Sequence, residues 1–134
     1  MTDAIYKEFL LNHYREPRNM GELNGATITT EGFNANCGDK VKVGLFIEDD
    51  TITQVRYQIR GCAICTASTS IMSEQLTGTK ISDAQHLIQQ IQNSVKHQTQ
   101  WPPDTEALSG AAKSIGRHKC ILLSWNACSE ALTR

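Results

Sequence analysis

Any chemistry in this chain of 134 residues would start from sulfur, at Cys37, Cys62, Cys65, Cys120 and Cys128. Thiols attack electrophilic sulfur, pair as disulfides, bind soft metals, or fill a core as small hydrophobes. Five is an odd number, and the N-terminal MTDAIYKEFLLNHYREPRN lacks the basic and long apolar segments of an export signal. A cytoplasmic location is therefore expected, where reducing conditions keep thiols unpaired. Metal binding, reactivity or burial must account for the sulfurs.

Cys37-Gly38-Asp39 sets two metal-capable side chains about a glycine, whose permissive backbone lets both point at one ion. Taken alone, the segment also reads as an Asn-Cys-Gly-Asp turn with nothing bound. Cys62-Ala63-Ile64-Cys65 spells C-x-x-C. A thioredoxin-like redox pair needs a strand of a parallel βαβ unit before it, and half a zinc site needs a second C-x-x-C; neither is present. Cys65 shares a helical face with Met72 and Leu76 and reads as a buried small hydrophobe. Cys120 and Cys128 fall on one helix, roughly 12 Å apart along its axis, too far to share an ion. Cys128 joins the stripe of Ile121, Trp125 and Leu132 and reads as core, whereas Cys120 starts the helix and is free to point elsewhere. Cys37, Asp39, Cys62 and Cys120 remain as three thiolates and a carboxylate, a tetrahedral set suited to Zn2+ or iron. His13, His86 and His97 stand among polar residues and are expected in solvent. His118 precedes Cys120 by two positions, ~200° round a helix, and is a weak further candidate.

The elements that must position these residues begin with a helix over 4–14, with Ile5, Phe9 and Leu10 able to share a face. Thr27 to Thr30 has strand propensity. Val41, Val43, Leu45 and Ile47, then Val55, Tyr57 and Ile59, alternate with mostly polar neighbours on either side of Asp49-Asp50. That pattern predicts an antiparallel hairpin with one buried face. Its apolar sets oppose each other only if paired position numbers have an even sum, 98 or 100 nearest the turn. Cys37 then lies opposite Gly61 or Ala63, beside Cys62. Helical spacing follows from Cys65 through Leu76 with Gly78 as a stop, then from a Ser82 cap through Ala84, Leu87, Ile88, Ile91 and Val95. A connection over 96–104, a short helix over 105–113 and a last helix from about residue 117 complete the chain. The expected fold is α+β in one domain over 1–134: about three antiparallel strands packed with an N-terminal helix and several C-terminal helices.

Composition narrows the function. Thirteen basic against fourteen acidic residues leave a net charge of -1, which argues against a nucleic-acid binder. No apolar run approaches membrane-spanning length.

Several stretches together resemble the U-type iron–sulfur cluster assembly proteins, SufU and IscU, with a SufE/NifU-like fold. His13-Tyr14-Arg15-Glu16-Pro17-Arg18-Asn19, Asn34-Ala35-Asn36-Cys37-Gly38-Asp39 and Gly61-Cys62-Ala63-Ile64-Cys65-Thr66-Ala67-Ser68 carry the resemblance in the first half. Ala107-Leu108-Ser109-Gly110, Arg117-His118-Lys119-Cys120 and Leu123-Ser124-Trp125 carry it in the second. Lys119 stands where IscU proteins place a histidine, and the interval from Cys62 to Cys120 is long, so the chain looks most like SufU. Cys65 stands where serine is common, Ala35 where proline is usual and His118 where an aliphatic residue is common. The resemblance implies zinc on Cys37, Asp39, Cys62 and Cys120, and sulfur accepted by Cys37 from a cysteine desulfurase (SufS-like). Arg117 and Lys119 would attract the anionic persulfide or pair with Asp39. The same ligands holding iron or an Fe–S cluster would make a scaffold instead, and either route leads to downstream Fe–S assembly proteins. Cys65, one turn from Cys62, and His118 are the residues able to substitute as ligands.

Overall fold

Alternating apolar residues build the expected hairpin in a computed structural model that describes residues 2–133; Met1 and Arg134, the ends of the expected domain, lie outside them. Strands β2 (Asp39–Glu48) and β3 (Thr51–Arg60) pair antiparallel with Val41 opposite Ile59, Val43 opposite Tyr57 and Leu45 opposite Val55. These pairs follow the register of 100. A bulge between Phe46 and Ile47 shifts the last pairs, so that Ile47 meets Ile52 and Glu48 meets Thr51. Asp49 and Asp50 both take positive φ, 51° and 62°, as a two-residue type I′ turn demands. Strand β1 (Ile28–Asn34) pairs antiparallel with β2 and completes a sheet of order β1-β2-β3. It runs four residues beyond the Thr27–Thr30 segment that propensity marks, because backbone pairing to β2 carries Glu31 to Asn34 along.

Helix α1 (Thr2–Arg15) precedes the sheet, and α2 (Ala63–Leu76), α3 (Ile81–His97), α4 (Leu108–Ala112) and α5 (His118–Leu132) follow it. The architecture is α+β, with helices covering one face of the sheet. Val41, Val43, Leu45, Val55 and Tyr57 face Ile71, Met72, Ile121 and Trp125, all buried. On α3, Ala84, Ile88, Ile91 and Val95 form the expected buried stripe, with Leu87 half-buried at its edge. Ser82 does not cap that helix: Lys80 is the cap residue, and Ser82 sits exposed in the first turn. The helix expected over 105–113 shortens to α4, because Thr105 turns back on Pro102 with both its N–H and its hydroxyl. Among the described residues, no helix is long and apolar enough to cross a membrane.

Two buried polar clusters fix the helices. Ser68 on α2 donates to the Ile121 carbonyl at 2.7 Å and accepts from Trp125 Nε1 at 2.9 Å. Ser70 on α2 meets His13 Nδ1 at 2.7 Å and accepts from the Arg18 N–H at 2.9 Å. His13 is therefore not in solvent as its polar neighbours suggest, but 2% exposed. His86 and His97 are exposed as expected. Ile5 and Phe9 stay exposed too, so of the expected apolar face only Leu10 packs on the core, joined there by the buried His13. With the Ser70 hydroxyl donating to Nδ1, the neutral ring keeps its proton on Nε2, 3.5 Å from Glu74. Burial, and then the Arg18 charge, push the His13 pKa down to about 4 from 6.5. Glu74 is half exposed and too well solvated to reverse that.

Two stability measurements follow from these clusters. Ser68→Ala strands the buried Trp125 N–H and is expected to cost about 1–3 kcal/mol in denaturant unfolding. Between pH 6.5 and about 4 the unfolded chain takes up a proton at His13 that the folded chain refuses. Stability should fall as pH drops through that window, and His13→Asn should flatten the fall.

Candidate metal centre

The centre lies at one end of the sheet, where the β1–β2 turn, the β3–α2 junction and the start of α5 converge. Asn34 closes β1, and its buried side chain accepts from the Asn36 N–H at 3.2 Å. This Asx turn, with Gly38 at φ 73°, reverses the chain around an exposed Cys37 and returns it to β2 at Asp39. Asp39 is thus the first residue of a paired strand, and it is 2% exposed. Across the hairpin, β3 ends at Arg60 and Gly61 leads to Cys62, the N-cap of α2. A Cβ at Gly61 would come within 3.0 Å of Asp39 Oδ1 and 3.3 Å of Cys65 Cβ, a tight fit that would require these neighbours to shift, so glycine eases the close approach of these segments.

Asp39 Oδ1 accepts from the Cys62 N–H at 3.1 Å, while Oδ2 is buried with no hydrogen-bond partner. A buried carboxylate oxygen without a donor is costly unless a cation or proton serves it. The sulfurs of Cys37 and Cys120 are 3.9 Å apart, and the donor atoms of Cys37, Asp39 and Cys120 all lie within 4.8 Å of one another. Cys62 Sγ is not within that distance of all three, although it contacts the Cys120 thiol. Three of the four expected donors are therefore gathered, with the fourth beside them. Thiols with one carboxylate, one oxygen of which is orphaned, suit Zn2+ or iron. Burial foremost, and then Asp39 and the neighbouring thiols, push the Cys120 thiol pKa up.

Cys65 is fully buried, as its helical face predicts, yet it lines the same niche. Burial, then the charge of Asp39, push its pKa up to about 12. Cys128 is in the core with its sulfur 3.5 Å from Met72 Sδ, and burial alone pushes its pKa up to about 12. His118 is held away from the centre, its Nε2 2.6 Å from the Ala112 carbonyl. Arg117 and Lys119 are exposed at the start of α5. Neither serves Asp39, since Cys62 takes one oxygen and the other has no partner.

The alternation patterns do not reveal Asn34 or Gly61 as parts of the centre. Both open stretches that carry the family resemblance; the local signals are an Asx residue just ahead of Cys-Gly-Asp for Asn34 and a glycine between a strand and a cysteine for Gly61.

The model of the NifU-like N terminal domain family matches residues 5–132. The zinc-dependent sulfurtransferase SufU of Bacillus subtilis (strain 168) is 29% identical over 98% of this chain and 92% of its own. The iron–sulfur cluster assembly scaffold protein IscU of Thermotoga maritima is 27% identical over 97% of this chain and 94% of its own. A candidate iron–sulfur cluster assembly scaffold protein for the SUF system from Fervidobacterium islandicum AW-1 has a similar crystal structure. Its TM-score is 0.86 at 27% identity, covering 98% of this chain and 99% of that one. The fold, the centre and these likenesses agree, and the chain belongs to the NifU-like N-terminal domain family of iron–sulfur cluster assembly proteins.

Proposed function

We propose that this protein, acting as one domain over its 134 residues, accepts sulfur from a cysteine desulfurase for iron–sulfur cluster assembly. Zn2+ would be held by Cys37, Asp39, Cys62 and Cys120. The Asp39 carboxylate carries the proposal: one of its oxygens is gathered with the Cys37 and Cys120 sulfurs, and its Oδ2 is buried without a hydrogen-bond partner. Bound zinc would keep the thiols deprotonated at neutral pH. Similarity to the SufU of Bacillus subtilis supports the choice of zinc and of sulfur transfer.

The chain's own residues divide the work. Asp39 is tethered to the Cys62 N–H, and Cys120 is buried at the start of α5, so both are anchors. Cys37 is exposed in a turn with a glycine beside it, and it is free to leave. Its thiolate attacks the outer sulfur of the desulfurase persulfide. A new S–S bond forms on Cys37, the donor's S–S bond breaks, and the donor cysteine departs as a thiolate. Arg117 and Lys119, exposed on α5 and the turn before it, would draw in the anionic persulfide. We assign the reaction to the cytoplasm, with downstream iron–sulfur assembly proteins as recipients.

A comparable likeness to the IscU of Thermotoga maritima favours a second function, a scaffold that builds a cluster on the same donors. Protein purified without added iron separates the two. Tight zinc with strong desulfurase stimulation supports transfer; brown, cluster-loaded protein that donates to an apo-acceptor supports the scaffold.

Cys37→Ser is expected to abolish desulfurase stimulation with little change in circular dichroism; undiminished stimulation would remove Cys37 as the acceptor. Cys128→Ala should keep both zinc and activity. Asp39→Asn can still accept from the Cys62 N–H but loses its charge, so zinc affinity should fall about tenfold or more in a chelator competition.

A further inference from the structure

Cys65 is the one thiol near the centre that sulfur transfer as proposed leaves unused. It is 0% exposed, whereas Cys62, three residues earlier, is exposed. Its N–H lies on Cys62 Sγ at 3.4 Å, with Cys62 capping α2. A C-x-x-C pair with an N–H aimed at the first sulfur is the arrangement in which two cysteines grip one metal ion. Such pairs serve as half of many zinc sites, which is why the motif alone suggests one.

What the motif lacks is a second C-x-x-C, and the fold supplies other donors. Cys65 Cβ and Asp39 Oδ1 crowd the same missing Cβ at Gly61, at 3.3 and 3.0 Å. Asp39 Oδ2, buried and without a partner, independently points to a ligand in this niche. The niche thus gathers the donor atoms of Cys37, Asp39 and Cys120, with Cys62 and Cys65 at its edge on the first turn of α2, one residue more than a tetrahedral ion uses.

Loss of Cys37 to sulfur transfer would leave such an ion with two thiolates and a carboxylate. Cys65 sits on the first turn of a buried helix, so its position does not depend on the Cys37 turn. A cysteine has a single χ1 torsion, and moving it between staggered wells needs no backbone change.

We propose that Cys65 is a reserve metal ligand, which joins Cys62, Cys120 and Asp39 on the ion when Cys37 departs. The Cys65 thiol gives up its proton to solvent and forms a bond to the metal as the Cys37 bond breaks; nothing is oxidised or reduced. The proposal rests on the reading of Cys37 as the mobile acceptor.

Cobalt(II) tests it, because sulfur-to-cobalt charge-transfer absorption grows with the number of bound thiolates. The full chain is loaded with cobalt as wild type, Cys37→Ser, Cys65→Ser and Cys37→Ser/Cys65→Ser. Wild type and each single variant should show the intensity of three thiolates, and the double variant should lose a third of it. Cys37→Ala and Cys65→Ala repeat the set without hydroxyl donors, and circular dichroism confirms that each protein is folded. An intensity already down by a third in Cys37→Ser overturns the proposal. So does a wild type with four thiolates, which would make Cys65 a resident ligand. Failure of the underlying function reads out separately: Cys37→Ser that still stimulates the desulfurase removes the acceptor role, whatever the cobalt spectrum shows.

Discussion

The hydroxyl of Ser68 holds the two halves of the centre together. Cys62 begins α2 and Cys120 begins α5, and both helices are fixed to each other where Ser68 binds the Ile121 carbonyl and the Trp125 indole. All three residues are buried, so both bonds must form or leave polar groups stranded in a low-dielectric interior. The donor atoms of Cys37, Asp39 and Cys120 span at most 4.8 Å. The Ser68 bonds thus add a directional constraint to the packed core, fixing the register in which α2 and α5 present Cys62 and Cys120.

At the sheet end, rigidity is distributed unevenly. Asp39 is paired opposite Asn34 and tied to the Cys62 N–H, and Gly61 allows the two strand ends to close without a clash. Cys37 has no such constraint: it sits exposed in a turn, beside a residue in left-handed conformation. A site whose donors were all locked would hold a metal well and react poorly. Here one donor sits exposed in a turn while Asp39 and Cys120 are buried on packed elements, and that asymmetry is a property of the backbone before any metal is considered.

Much of this was legible in the sequence, and the exceptions share a cause. Alternation in 41–47 and 55–59 sets the hairpin face, and even-sum pairing places Cys37 and Cys62 at the same end of the hairpin. The structure adopts the 100 register, though the bulge at Phe46/Ile47 leaves no trace in the alternation. The stripe of α3 was equally plain because 3.6-residue periodicity is a local signal. His13 was not legible. Its burial depends on Ser70, 57 positions away, and a polar residue becomes acceptable in a core only through partners that local pattern cannot show. Ile5 and Phe9 fail for the converse reason, since helical spacing offers a face without saying what covers it. Cys65 was half read: its buried face was evident from Met72 and Leu76, its closeness to Asp39 was not.

The electrostatics of the centre explain how reactive thiols can be kept quiet until they are needed. Burial is the first influence on both Cys65 and Cys120, and the Asp39 carboxylate the second; both push the thiol pKa up. Without a cation these two thiols are therefore biased toward the protonated form, which neither attacks disulfides nor oxidises readily. A divalent cation reverses the sign of every contribution from charge: it neutralises the carboxylate, serves the stranded Oδ2, and makes each thiolate favourable where each was costly. Metal loading must then release protons in proportion to the thiols engaged, which couples occupancy to pH more steeply than a carboxylate site would. The single buried aspartate thus does two opposite things. It disfavours the Cys65 and Cys120 thiolates while the charge beside them is negative, and it would favour a cation whose arrival would reverse that effect.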